Sequence, residues 1–304
     1  MTNTTQTYWD VDGESLQTYA FNITTLGGDR LAPAPVRGSN ITIPYKPGTL
    51  WVPKVPDERV ITLGAWVIGA NEDGSIPTDE NARRVFDRNW RKLRQLLWRP
   101  RKQFVLTKRF WLPDSELVAG GVDTSALPKD GDWTLYTARA LASYADGLTP
   151  TMQGPGRATF TVDLLLSDPY FYGDEISIDF SMAPADGSHP GPLHTVSVLG
   201  DDRTTAIEVD FEGPLTAPRI TNSSETDLWV SYATVVPDGE SATIRVAPFS
   251  ATHYPSGTPY KTSGYVSHSG DHFWLFLEPG DADVALSAQI GTGVATLRYQ
   301  PVWV

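Results

Sequence analysis

The segment Thr161-Val-Asp-Leu-Leu-Leu-Ser-Asp-Pro-Tyr-Phe-Tyr172 constrains this chain more than any other. An apolar run of strand length stops at Asp168-Pro169 and gives way to an aromatic cluster. Proline lacks the N–H that a strand ladder needs, so the strand ends there. Before the segment lies a basic amphipathic helix. After it the sequence turns acidic and reads as short strands. This division predicts two domains, 1–174 and 175–304.

In the first domain, 16–25 and 59–68 alternate as strands do. From Leu31 to Pro56 six prolines break the chain, which excludes a helix and leaves a long loop or short edge strands. Thr78 to Trp98 is the one clear helix. Pro77 precedes it, Thr78 suits its N-cap, and Asp79 and Glu80 suit the positive end of its dipole. Phe86, Trp90, Leu93 and Leu97 fall at i, i+4, i+7 and i+11, one apolar stripe, with Arg84, Arg88, Arg91 and Lys92 off it. Strands follow at 103–109, 133–142 and 157–166, and 112–132 is a long excursion rich in Gly and Pro. The fold expected here is one helix packed on a mostly antiparallel sheet or split β-barrel.

From 175 onward, strands recur at 8–12-residue spacing: 175–180, 194–199, 205–211, 217–222, 227–235, 241–246, 272–277, 283–290 and 294–300. Turn signals such as Asp186-Gly187, Pro237-Asp-Gly239 and Gly291-Thr-Gly293 separate them. That spacing is the mark of a β-sandwich or jelly roll. The chain as a whole is mainly β, a β-rich α+β protein. Its 26 Gly and 24 Pro suit many tight turns.

Composition removes several chemistries. With no Cys, there is no disulfide, thiolate nucleophile or Cys-ligated metal. Residues 1–175 carry a net charge of −2 and residues 176–304 one of −10. The second half therefore repels nucleic acid and anionic membranes. The polar N-terminus shows no secretory signal, and no apolar run approaches the length of a membrane span, so a cytosolic origin is expected.

Arg83 to Arg109 holds 11 basic residues against Asp87 alone, which is either a nucleic-acid patch or a helix face that pairs with acidic neighbours across a subunit interface. The second reading fits an acidic chain with no base-stacking module, and it makes Arg84, Arg88, Arg91 and Lys92 candidate interface residues. His253, His268 and His272 are conceivable metal ligands, but no acidic partner stands at a diagnostic spacing, and surface or core histidines explain them better. Asp163 with Asp168, or Asp281 with Asp283, would be glycosidase-like carboxylate pairs; turn and surface roles explain them better. No phosphate loop, nucleophile elbow or dinucleotide fingerprint occurs. Trp229, Tyr232, Tyr254, Tyr260, Tyr265 and Trp274 suit a sandwich core or a saccharide contact. The loop 248–270 is the expected exposed contact surface, with Tyr254, Tyr260 and Tyr265 on it.

Four features, taken in order, resemble the distal tail (Dit-like minor tail) proteins of long non-contractile-tailed bacteriophages. They are the helix 78–98 after a strand and a Gly-containing turn, and the strand 159–166 running into Ser167-Asp-Pro-Tyr-Phe-Tyr172. The third is Phe211-Glu-Gly-Pro-Leu-Thr-Ala-Pro-Arg-Ile-Thr-Asn222. The last is Phe273-Trp-Leu-Phe-Leu-Glu-Pro-Gly280 followed by Ala295-Thr-Leu-Arg-Tyr-Gln-Pro-Val-Trp303. The resemblance implies an N-terminal split-barrel, ring-forming domain and a C-terminal galectin-like sandwich. It implies a homohexameric ring at the virion tail tip, made in the host cytoplasm. That ring joins the tail tube to the tail-tip hub and to fibre or receptor-binding proteins, and it passes DNA without gripping it. It brings no catalytic residue and no cofactor. A carbohydrate-binding module that contacts host surface glycan is the alternative function.

Overall fold

The computed structural model describes residues 8–23, 35–38, 41–42, 49–50, 55–78, 80–181, 193–224, 228–269 and 275–304. The fold is mainly β, a curled sheet forming a half-barrel together with further sheets, and the described residues include two α-helices. It divides into two compact units. Unit 1 comprises residues 1–110, 136–171 and 304; unit 2 comprises residues 111–135 and 172–303.

The sheet of unit 1 runs in the order Glu14–Ser15, Trp9–Val11, Phe104–Pro113, Trp133–Gly147, Arg157–Leu166, Arg59–Ile68, Phe21–Ile23. Its centre is the antiparallel pair Arg59–Ile68 and Arg157–Leu166, in unbroken register from Arg59↔Leu166 to Ile68↔Arg157. Both strands alternate strictly. Ile61, Leu63, Ala65 and Val67 are buried from one, and Ala158, Phe160, Val162 and Leu164 from the other. Period-2 burial on one face is what an antiparallel sheet with one covered side requires.

Helix α1 (Glu80–Leu97) supplies a cover for unit 1. Phe86, Leu93, Leu96 and Leu97 are buried, and Trp90 is half-buried with its ring edge-on to Phe160, 5.4 Å between centroids. The apolar stripe read from the sequence is thus the packed face, widened by Leu96. Burying one such side chain contributes about 1.5–3 kcal/mol. Two local devices set the approach of the helix. Asn89, buried in the stripe, donates its amide to the carbonyls of Ile68 (2.9 Å), the last residue of its strand, and Ala70 (2.7 Å), just past it. Gly69 passes so close to the helix that an added Cβ would meet the Ala82 carbonyl at 2.2 Å.

At the sheet edge, Phe21 is capped rather than open. Its carbonyl accepts from the Thr18 backbone (2.8 Å) and hydroxyl (3.2 Å), and its N–H donates to that hydroxyl (3.1 Å). A side-chain cap of this kind blunts an edge strand. In the Pro-rich stretch, the described pieces are two-residue strands, Val36–Arg37 with Val55–Pro56 and Ile41–Thr42 with Thr49–Leu50. That decides for short strands over a plain loop at those positions.

Unit 2 is built on two main sheets. One runs Ile176–Ser181, Val294–Tyr299, Ile207–Glu212, Ser241–Arg245, Ser250–Tyr254, Tyr260–Lys261, and the other Leu193–Val198, Gly280–Ser287, Arg219–Asn222, Leu228–Tyr232, Val266–His268. They face each other. Phe180 of the first stacks edge-on with His194 of the second at 5.0 Å, and Tyr232 of the second bonds His253 of the first at 3.1 Å. Val209, Phe211, Ile244 and Leu297 point inward from the first sheet, Ile220, Val230, Val284 and Leu286 from the second. This is the expected β-sandwich. The excursion 112–132 carries a short helix, Asp114–Ala119, that the Gly- and Pro-rich sequence does not signal. Six residues are too few to display a helical period. The loop expected at 248–270 is a second correction. Over its described part it forms the strands Ser250–Tyr254, Tyr260–Lys261 and Val266–His268, with Ser241–Arg245 paired to Ser250–Tyr254 throughout. The strand signal was hidden because the inward residues are Ala251 and His253, a small side chain and a polar one.

Candidate functional site

Three places hold the side chains singled out from the sequence. The first is the outer face of α1. Arg84, Arg88, Arg91 and Lys92 are all exposed there, as are Arg83 and Arg94, because the 3.6-residue period that buries Phe86, Leu93 and Leu97 turns these positions away. Arg94 lies over the exposed Trp98 ring at 4.7 Å. Lys92 and Asn89 also line a groove of about 650 Å³ with Tyr19, Trp66 and Glu72.

The second is the tyrosine region of unit 2. Tyr254, Tyr260 and Tyr265 are 42%, 51% and 51% exposed. The structure brings two of them together around a buried polar chain. The Tyr232 hydroxyl meets His253 Nδ1 at 3.1 Å, and His253 Nε2 meets Glu240 Oε2 at 2.7 Å. Tyr260 stacks on His253 with centroids 5.2 Å apart, and Tyr265 stands edge-on to Tyr232 at 6.3 Å. Burial pushes the Tyr232 hydroxyl up from its usual pKa. Tyr254 does not join them, because it alternates with His253 on its strand and takes the opposite face. Trp229 belongs to neither group; its ring lies under the Arg219 guanidinium at 4.1 Å.

The third is the set of carboxylates. Each one considered as an acid catalyst is tied to a hydroxyl directly across a ladder or to a turn. Asp163 accepts from Thr62 (2.6 Å), Asp281 from Ser197 and Asp283 from Thr195 (both 2.8 Å). Asp168 accepts from the backbone of Tyr170 at 3.4 Å, as a turn residue does. The same cross-strand device recurs at Asp179–Thr296 (2.8 Å) and Asp210–Thr243. Asp281 and Asp283 do share a face, yet that face is a surface ladder of hydrogen bonds. Of the histidines, His253 sits on the six-stranded sheet and His268 on the five-stranded one, while His272 lies outside the described residues. Among the described residues no three His, Asp or Glu side chains converge as a metal site would need. Among them also, no helix is long and apolar enough to cross a membrane.

Sequence reasoning missed Glu240 and Asn89. Both are polar residues whose partners come from elsewhere in the fold, and an Asn inside an apolar stripe is the one sequence signal that marks either.

No protein-family model and no curated protein sequence matches this chain. Among solved structures, the Dit protein (gp 19.1) of phage SPP1 aligns with 98% of this chain and 99% of its own, at a TM-score of 0.58 and 14% identity. The chain has the Dit fold. The SPP1 protein is a paradigm of the hub adsorption apparatus in phages that infect Gram-positive hosts. A chain of the phage P2 baseplate aligns over 94% of this chain and 92% of its own, but at a TM-score of 0.37 and 8% identity it is too distant to establish a shared fold. The alignment spans both units.

Proposed function

We propose that this chain is a non-enzymatic structural component of a phage tail tip. In this reading its N-terminal domain (1–174) closes a homohexameric ring between the tail tube and the tail-tip hub. The sandwich domain (175–304) presents attachment points for fibre or receptor-binding proteins, and the ring passes DNA without gripping it. The observation that carries the reading is the end-to-end likeness to the SPP1 Dit fold, 98% of one chain on 99% of the other. Cross-strand hydroxyls hold the carboxylates that a hydrolase would have needed free, which fits a scaffold. Gold-labelled antibody against the chain, applied to virions, tests it. Label confined to the distal end of the tail supports the proposal, and label on the head or along the whole tail contradicts it.

A second reading has one observation in its favour. Tyr260 is half exposed yet held by stacking on buried His253, a ring whose position is fixed in advance and which a sugar face could meet at little entropic cost. Binding of the full chain to an array of bacterial surface glycans, lost in Tyr260→Ala, would favour that reading.

A further inference from the structure

Two faces of opposite charge stand out in the described structure, one on each unit. The first is the exposed side of α1, where Arg83, Arg84, Arg88, Arg91, Lys92 and Arg94 surround Asp87. From the first to the last, these cations span about 16 Å of helix. Among the described residues, Arg83, Arg88, Arg91 and Lys92 pair with no carboxylate. The second is the outer face of the six-stranded sheet. Glu175, Asp179, Glu208, Asp210 and Glu212 lie there with Arg245 and Arg298. Both guanidiniums are already held, Arg245 by Glu208 and Arg298 by Glu208 and Asp210. Asp179 and Glu212 remain exposed, and among the described residues neither has a cationic partner.

We propose that the basic face of α1 in one copy docks on the acidic outer face of the six-stranded sheet in the next copy. The proposal deepens the self-assembly reading given above and rests on it. Duplex DNA would satisfy the helix and be repelled by the sheet. A second copy satisfies both, because each chain carries one face of each sign. An interface made from two different faces is heterologous, so it repeats from copy to copy around a ring that the N-terminal domains close. Contacts of this kind steer association and set the register, and they weaken as salt screens them.

Sedimentation velocity on the full chain tests this, at low and high sodium chloride. Wild type is expected to associate at low salt, with about tenfold weaker association at high salt. Arg88→Glu with Arg91→Glu should reduce association, and so should Asp179→Lys with Glu212→Lys. The four changes together should restore it. Circular dichroism confirms that each variant is folded. If the wild type associates and neither charge reversal alters it, the proposal fails while the ring reading stands. Loss in both pairs with no recovery in the combined variant also overturns it. A wild type that stays monomeric throughout removes the ring reading along with it. Retention of a labelled DNA duplex that disappears with Arg88→Glu and Arg91→Glu would assign the basic face to nucleic acid instead.

Discussion

The two units handle charge in opposite ways. In unit 1 the sheet buries its apolar face under α1, and the basic residues stand on the outside of that helix, with Arg83, Arg88, Arg91 and Lys92 unpaired among the described residues. In unit 2 most of the charges sit on sheet faces and are spent within the fold, as Glu208 with Arg245, Asp210 with Arg298, and Asp281 and Asp283 with opposite hydroxyls, while Asp179 and Glu212 have no cationic partner among the described residues. A cross-strand pair contributes roughly 0.2–1 kcal/mol each, so such a ladder stabilises its own sheet. Unpaired cations on a helix contribute little to the fold and are free to act on a partner. The same contrast separates what should break on mutation of one unit from what should break on mutation of the other.

The largest expected effect is in the sandwich core. Phe211→Ala empties a fully buried position, at a cost of about 3–5 kcal/mol. Thermal unfolding followed by calorimetry should show a large drop for it. A unit 1 transition that stays in place under this change would sharpen the comparison. A loss of both at once would break it, because the units would then not be separate in stability. Next comes Asn89→Leu in unit 1, which strips the Ile68 and Ala70 carbonyls of their donor and should cost about 1–3 kcal/mol by urea titration. The ladder in unit 2 is worth less per rung. Thr296→Val removes the hydroxyl that Asp179 accepts from, with an expected loss of about 0.2–1 kcal/mol.

Asp114 gives a pH signature. Hydrogen bonds from Lys129, Thr124 and Thr134 hold its carboxyl down at about 2 from an ordinary 3.8. A lowered folded value means that the stabilisation is present above about pH 4 and is lost as pH falls toward 2. Asp12 shifts the same way, chiefly through the backbone N–H of Val105. The acid limb of a stability profile should therefore be shallower in Asp114→Asn than in wild type. An unchanged limb would show that the charge is not coupled to folding. The smallest stability effect belongs to the helix surface, where Arg88→Glu with Arg91→Glu should shift stability by no more than about 0.5 kcal/mol per site. A larger shift would mean that these cations serve the fold of unit 1 after all.

Most of the regular structure was legible wherever one period dominated. The strands 59–68 and 157–166 stand at the expected residues because every second side chain is apolar, and α1 stands at 80–97 because its stripe repeats at i+4 and i+7. What escaped was structure built from exceptions to hydrophobic pattern. Ser250–Tyr254 buries a histidine, and its reason for doing so, Tyr232 on one side and Glu240 on the other, lies elsewhere in the chain. The helix Asp114–Ala119 buries Leu117 alone. For the candidate sites, the exposure of Arg84, Arg88, Arg91 and Lys92 followed from helical geometry, whereas the separation of Tyr254 from Tyr260 and Tyr265 did not. Which face a tyrosine takes depends on register, and no loop-like sequence of Ser, Thr, Gly and His fixes that.

The central claim is that this chain is a ring component, and its mass in solution tests that most directly. Light scattering on the eluate of a size-exclusion column should read about 200 kDa, six times the 33.3 kDa chain. A single species of about 33 kDa that persists at high protein concentration would contradict the account.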